Sequence, residues 1–212
     1  MKRIAMFVMA CLLCVGMVTV NPLEASAATY YTSDSAVQDS CSVMGHAWVT
    51  AVDLNGVAGS LCTRCQRFEE PNVKWSPLTD CQNVKRSNEK AHFGDVVVGK
   101  WNSRAGKLPN AIRFCVSNKK TYKNTHHTTY RLRGQYDTLS GLISFSNKSE
   151  KFATARIQIY FDNELEYESD LISATTDDAA FLLDVSGVEM VRIVCSTPDV
   201  PAAYCVVSAA VY

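Results

Sequence analysis

From Val73 to Tyr212 the chain never sustains a helical period. It breaks instead into short runs in which apolar and polar residues alternate, each ended by Gly, Asn, Asp or Ser. A period of two places successive side chains on opposite faces of an extended backbone, so this texture predicts strands rather than helices. The candidate strands are Val73 to Leu78, Val96 to Gly99, Ala111 to Ser117, Thr128 to Arg133, Gly141 to Ser146, Ala153 to Asp162, Glu164 to Ser169, Ala180 to Val185, Glu189 to Cys195 and Tyr204 to Tyr212. Ile157, Ile159 and Phe161 share one face and Arg156, Gln158 and Tyr160 the other. One wet face per strand suits antiparallel sheets stacked in a sandwich. The expected fold class is all-β, a β-sandwich jelly roll over residues 71–212.

A different chemistry precedes it. Cys41-x4-His46 is followed by fifteen residues and then by Cys62-x2-Cys65. Two close pairs of thiol and imidazole ligands can close a tetrahedron around one zinc ion. About 30 residues cannot bury a sufficient core unaided, so a metal or disulfide staple is expected over 41–70. Disulfides among Cys41, Cys62 and Cys65, with His46 at the surface, are the alternative. Strands are expected over Ala47 to Val52 and Gly56 to Leu61, with a turn at Asn55-Gly56. With all four positions filled by protein, such a zinc would be structural and would leave no place for an activated water. The stretch from Gly45-His46-Ala47-Trp48 to Cys62-Thr63-Arg64-Cys65-Gln66 resembles small zinc-ribbon-like repeats of bacterial secreted proteins. Gln66 stands where their glycine is usual.

The first residues carry a targeting pattern. Lys2 and Arg3 precede an apolar run from Ile4 to Val20, Asn21-Pro22 breaks it, and Ala25-Ser26-Ala27 supplies small residues. This is the layout of a secretory signal peptide over 1–27, with 28–40 a polar leader. Left uncleaved, the segment would be a membrane anchor, the one membrane contact expected. Cleavage removes Cys11 and Cys14 and leaves seven cysteines, an odd number that favours a metal site over complete internal pairing. Cys81, Cys115, Cys195 and Cys205 remain in the sandwich as thiols or as up to two disulfides. The formal net charge is zero, which argues against a nucleic-acid partner.

Three segments of the larger region resemble the NPCBM family, the carbohydrate-binding module found beside glycoside hydrolases. They are Thr128 to Gly141, with Gly134, Tyr136, Leu139 and Gly141; Ala155 to Ser169; and Phe181 to Val194, with Asp184-Val185-Ser186-Gly187. Leu108 to Phe114 is similar to that family's Asn-Ala strand. The resemblance implies a galactose-binding-like jelly roll that binds glycans without catalysis. Tyr136, Leu139, Gly141, Phe161 and Gly187 are framework positions.

Sugar sites pair an aromatic ring with planar polar side chains. Trp101, Asn102 and Arg104, placed in a loop between strands, have both ingredients, as do Tyr122 and His126 with Asn124. Trp101 packed at a sandwich edge, and His126-His127 as a solvated strand start, are the bland alternatives. His126 and His127 are adjacent and should face opposite ways. Calcium is possible at Thr176-Asp177-Asp178, against a solvated turn. No Gly-x-Ser-x-Gly, His-Glu-x-x-His or phosphate-cradling loop is present, and Glu164 and Glu166 are expected to be exposed. The expectation is a secreted or cell-envelope-associated bacterial glycan-binding protein that is not an enzyme. A cell-envelope protein-interaction module and a small glycoside hydrolase are the alternatives.

Overall fold

A computed structural model describes residues 41, 45–87, 96–119, 123–173, 175–176, 178–199 and 201–212. The signal and leader readings lie outside these residues. Among them no helix is long and apolar enough to cross a membrane. The strands are β1 (Trp48–Val52), β2 (Ala58–Cys62), β3 (Phe68–Glu69), β4 (Ser76–Pro77), β5 (Gln82–Arg86), β6 (Val97–Ser103), β7 (Gly106–Val116) and β8 (Thr125–Arg131). They continue with β9 (Thr138–Phe145), β10 (Thr154–Phe161), β11 (Glu164–Glu168), β12 (Ile172–Ser173), β13 (Ala179–Asp184), β14 (Met190–Ser196) and β15 (Ala203–Val211).

Strands β1-β2-β3 form a small sheet. The sandwich has a front sheet ordered β11-β10-β14-β8-β5 with β12 on β10, and a back sheet ordered β13-β9-β15-β7-β6 with β4 on β15. Between them lies a core that includes Phe114, Tyr130, Ile143, Phe145, Ile157, Phe181, Ile193 and Val207. The nearly all-β sandwich is the fold the alternation predicts. Gly141 is part of that fit: a Cβ there would come within 2.3 Å of Phe181 Cζ.

The two sheets differ in a way the alternation alone does not predict. In β8, β10 and β14 every second residue is buried, as expected of a sheet with one wet face. In β9 and β15 nearly every residue is buried. The cause is the N-terminal module, which lies on the outer face of the back sheet. Val52 and Ala58 join Leu108, Ala111, Leu142, Ala180 and Val206 in a second apolar cluster, with Leu54 and Trp101 at its margin. Ser140, fully buried, donates from Oγ to Gly56 O at 2.7 Å and accepts from Ala58 N–H at 3.1 Å. Ser208 Oγ donates to Leu54 O at 3.0 Å. These bonds satisfy hydroxyls that would otherwise be costly in an apolar layer.

The β1–β2 turn makes this approach possible. Asp53 Oδ1 accepts from the N–H groups of Asn55 and Val57 at 2.9 and 2.7 Å, and Gly56 takes φ +86°. The expected Asn55-Gly56 turn is therefore present, and its tip rests on β15.

Candidate functional site

The four residues of the Cys/His pattern converge. One ligand atom from each of Cys41, His46, Cys62 and Cys65 lies within 4.8 Å of the others. Cys41 Sγ is 3.6 Å from Cys62 Sγ, and Cys65 Sγ is 3.5 Å from His46 Nδ1. Tetrahedral zinc with bonds of about 2.3 Å to sulfur and about 2.05 Å to nitrogen requires separations of about 3.8 and about 3.6 Å. The donor set and its spacing fit that ion.

Local structure explains the convergence. Cys62 ends β2, and Gln66 N–H bonds back to Cys62 O at 2.8 Å, closing a turn that aims both sulfurs inward. Gln66 itself sits at φ +59°, a left-handed conformation in which glycine is unstrained, so the glycine usual at this position has a backbone reason. On the other side, Gly45 N–H bonds to Cys41 O at 3.0 Å, and Arg64 Nη1 reaches Gly45 O at 2.8 Å. The His46 ring stacks on Trp48 with centroids 4.7 Å apart.

The thiols have unequal affinity for protons. Burial pushes Cys62 up, but hydrogen bonds from the Cys65 backbone, the His46 side chain and the backbones of Ala47 and Arg64 outweigh it and bring Cys62 down to about 5. Cys41 is pushed up to about 11 by burial, with Cys65 and Cys62 adding to the rise. A cation at the centre would relieve that competition by stabilising every thiolate at once. Among the described residues this is the one cluster of three or more potential metal ligands. Asp178 is buried, and Asp177 lies outside the described residues.

The proposed sugar residues separate. Trp101 and Asn102 are not in a loop, because β6 runs on to Ser103 and turns through Arg104-Ala105-Gly106 into β7. Both line a cleft of about 300 Å³ with Lys100, Arg113, Ser146, Asn147 and Lys148. Trp101 is half-buried, and the Arg113 guanidinium lies 3.8 Å from the indole centroid and 5.7 Å from that of Tyr204. Trp101 Nε1 and Arg113 Nε are buried with no hydrogen-bond partner among the described residues. Arg104 sits at the hairpin turn, where its N–H bonds to Phe145 O at 3.0 Å, and is not among the cleft residues. His126 is 1% exposed. It shares the inward face of β8 with Thr128 and Tyr130, and so cannot join a surface site. His127 faces the other way, as expected, and pairs with Ser87 Oγ at 2.8 Å. Tyr122 lies outside the described residues.

Lys100, Arg113, Ser146, Asn147 and Lys148 were not among the expected ligand residues. The available signal was Arg113 alone, a cation at the outward position between the inward residues Ile112 and Phe114.

A second hollow, of about 410 Å³, is lined by Asp137, Thr138, Leu182, Leu183, Asp184, Ser186 and Tyr212. Its acids serve the turn there. Asp184 Oδ1 accepts from Ser186 N–H at 2.9 Å, and Asp137 Oδ1 from Ser186 Oγ at 3.4 Å. Hydrogen bonds from Ser186 hold the Asp184 carboxyl below its ordinary range. Glu164 and Glu166 are exposed on β11, as expected.

Comparison with known proteins gives one family. Residues 122–200, the centre of the region of resemblance, match the NPCBM/NEW2 domain. No curated protein matches the chain. One similar solved structure is CBM51-2 with INT domains from Clostridium perfringens ZmpB, in complex with GlcNAc. It has a TM-score of 0.49 and 15% identity, covering 76% of this chain and 35% of that one. The chain thus spans about a third of that structure. Another is CBM51 from Clostridium perfringens GH95 in complex with methyl-galactose, with a TM-score of 0.49 and 14% identity, covering 66% of this chain and 100% of that one.

Proposed function

We propose that this is an exported bacterial glycan-binding protein without catalytic activity, whose sandwich holds sugar in the Trp101 cleft and whose N-terminal module is closed by one structural zinc. The observation that carries the reading is the cleft itself. A half-buried indole and the side chains of Asn102, Ser146 and Asn147 meet in a hollow near the lower limit of ~300 Å³ for small-molecule sites. The NPCBM/NEW2 match across 122–200 supports a carbohydrate ligand. In this reading Cys41, His46, Cys62 and Cys65 hold the zinc, which supplies folding energy to the β1–β2 hairpin and takes no part in binding sugar.

The test is a glycan array followed by calorimetry on the zinc-loaded chain. Asn102→Ala and Asn147→Ala each lower affinity about 2- to 10-fold, the worth of a side-chain hydrogen bond. Trp101→Ala abolishes binding, with circular dichroism confirming the fold. An array without a bound glycan, or full affinity in all three variants, would refute the site. Metal analysis returns one zinc per chain.

A further inference from the structure

We infer that the Trp101 cleft takes a sugar carrying an anionic group, a carboxylate or a sulfate, rather than a neutral glycan. The inference rests on the glycan-binding reading above and names the ligand class of the same site.

Its basis is charge placement. The chain is neutral overall, with 21 basic and 21 acidic residues. Three bases outside the cleft are paired: Arg67 with Glu69 at 3.2 Å, Lys119 with Glu150 at 3.0 Å and Arg156 with Glu168 at 2.8 Å. The cleft is set apart by how many bases share one hollow. Lys100 from β6, Arg113 from β7 and Lys148 from the β9–β10 connection converge on it, and among the described residues no Asp or Glu lines it. None of the three makes an ion pair with a described residue. Glu150, two residues beyond Lys148, is already engaged by Lys119.

The three cations are also held differently. Arg113 is half-buried and stacked on Trp101, so its guanidinium is fixed at the cleft and partly removed from water. In such a setting a charge acts more strongly than on an open surface, and a planar guanidinium suits carboxylate or sulfate oxygens. Its attraction to the indole offsets part of the cost of holding it there. Lys100 and Lys148 are exposed, and contribute field rather than fixed geometry. A neutral sugar would leave three like charges facing one another across the hollow. An anionic substituent relieves that repulsion while the pyranose ring meets the Trp101 edge, Asn102 and Asn147.

The experiment is calorimetry on the full zinc-loaded chain with glucuronic acid, galactose 6-sulfate, glucose and galactose, at 50 and 500 mM NaCl. At least one acidic sugar binds about tenfold more tightly than its neutral parent at low salt, and the gap narrows at high salt. A carboxylate-only, sulfate-only or shared preference each supports the inference and identifies the group. Lys148→Gln and Lys100→Gln, at exposed positions, each weaken the acidic sugar about two- to fivefold and narrow its advantage over the neutral parent. If neutral sugars bind in a Trp101-dependent way with no acid preference, the charge inference fails while the glycan site stands. If no sugar of either kind binds, both fall together.

Discussion

Gly56→Ala tests whether the N-terminal Cys/His module is part of the sandwich or an appended bead. Two costs are read from its position. Gly56 has φ +86°, and a left-handed L-residue costs about 1–2 kcal/mol. An added Cβ would also lie 2.5 Å from Ser208 O and 2.7 Å from Ala209 Cα. Backbone cannot give way as a flexible side chain can, so overpacking adds about 1–3 kcal/mol. The control is Gly187→Ala, at φ +76° with nothing within 4 Å of the added methyl, which carries the first cost alone. For a chain of this size each kcal/mol moves Tm by about 2–4 °C. Gly56→Ala should therefore melt about 2–12 °C below Gly187→Ala, and in one cooperative transition. The assay is thermal unfolding followed by far-ultraviolet circular dichroism and by tryptophan fluorescence, which reports Trp48 in the module, Trp75 beyond it and Trp101 at the cleft. Equal Tm values for the two variants would refute the close docking. So would a split transition in which the sandwich keeps its wild-type Tm.

Three further outcomes are expected. Chelation should lower Tm reversibly, with stoichiometric zinc restoring it; Cys62→Ser should abolish that response, and a chelator-insensitive Tm in the wild type would contradict the metal site. Gly141→Ala places a methyl 2.3 Å from Phe181 Cζ and should cost about 1–3 kcal/mol by urea unfolding, with Phe181→Leu recovering part of it in a double-mutant cycle. Burial, with Lys85 and Arg192 nearby, holds the His127 imidazole below its ordinary value of 6.5, so the folded state prefers it neutral. Its penalty is absent above about pH 6.5 and grows as pH falls from there through the folded value. His127→Gln should accordingly lose less stability than wild type between pH 7.5 and 5.5, and parallel curves would exclude this role.

What the sequence discloses depends on how many neighbours decide a strand's fate. β10 and β14 were plain from alternation because one sheet face and one water face set their pattern. β5 was missed. Its residues Gln82 to Arg86 are almost all exposed at a sheet edge, where backbone pairing with β8 suffices and no apolar signal is needed. β15 carried a readable clue, since Ala203 to Val211 is a near-continuous run of small and apolar residues, the mark of two-sided burial. What covered its second face could not be read, because the covering hairpin lies some 150 residues earlier in the chain (Leu54 O to Ser208 Oγ). The Cys/His cluster was legible because its spacing is local. The cleft was only half legible. Trp101 and Asn102 stand out by type, whereas Arg113 meets Trp101 across the β6–β7 hairpin and Lys148 arrives from the β9–β10 connection, a juxtaposition no local pattern encodes.

That long-range packing also decides what kind of site the cleft is. Trp101 is not a free aromatic platform. Its indole packs against the cluster that holds Val52, Ala58 and Leu108, as Leu54 also does, and its face carries Arg113. A ring held on both counts loses little freedom when a ligand arrives, so less of the gross interaction energy goes to ordering it. The holding elements trace back to the Cys/His cluster. Cys62 ends β2, β2 pairs with β1 from Trp48↔Cys62 to Val52↔Ala58, and the turn between them presents Leu54 and Gly56 to the back sheet. A hairpin this short is marginal alone. A metal held by the four ligands would close its open end and stiffen the hairpin whose opposite end docks. On the proposed reading the Cys/His module would set the stiffness of the cleft wall without contributing an atom to the ligand, a role for a structural metal beside a binding surface.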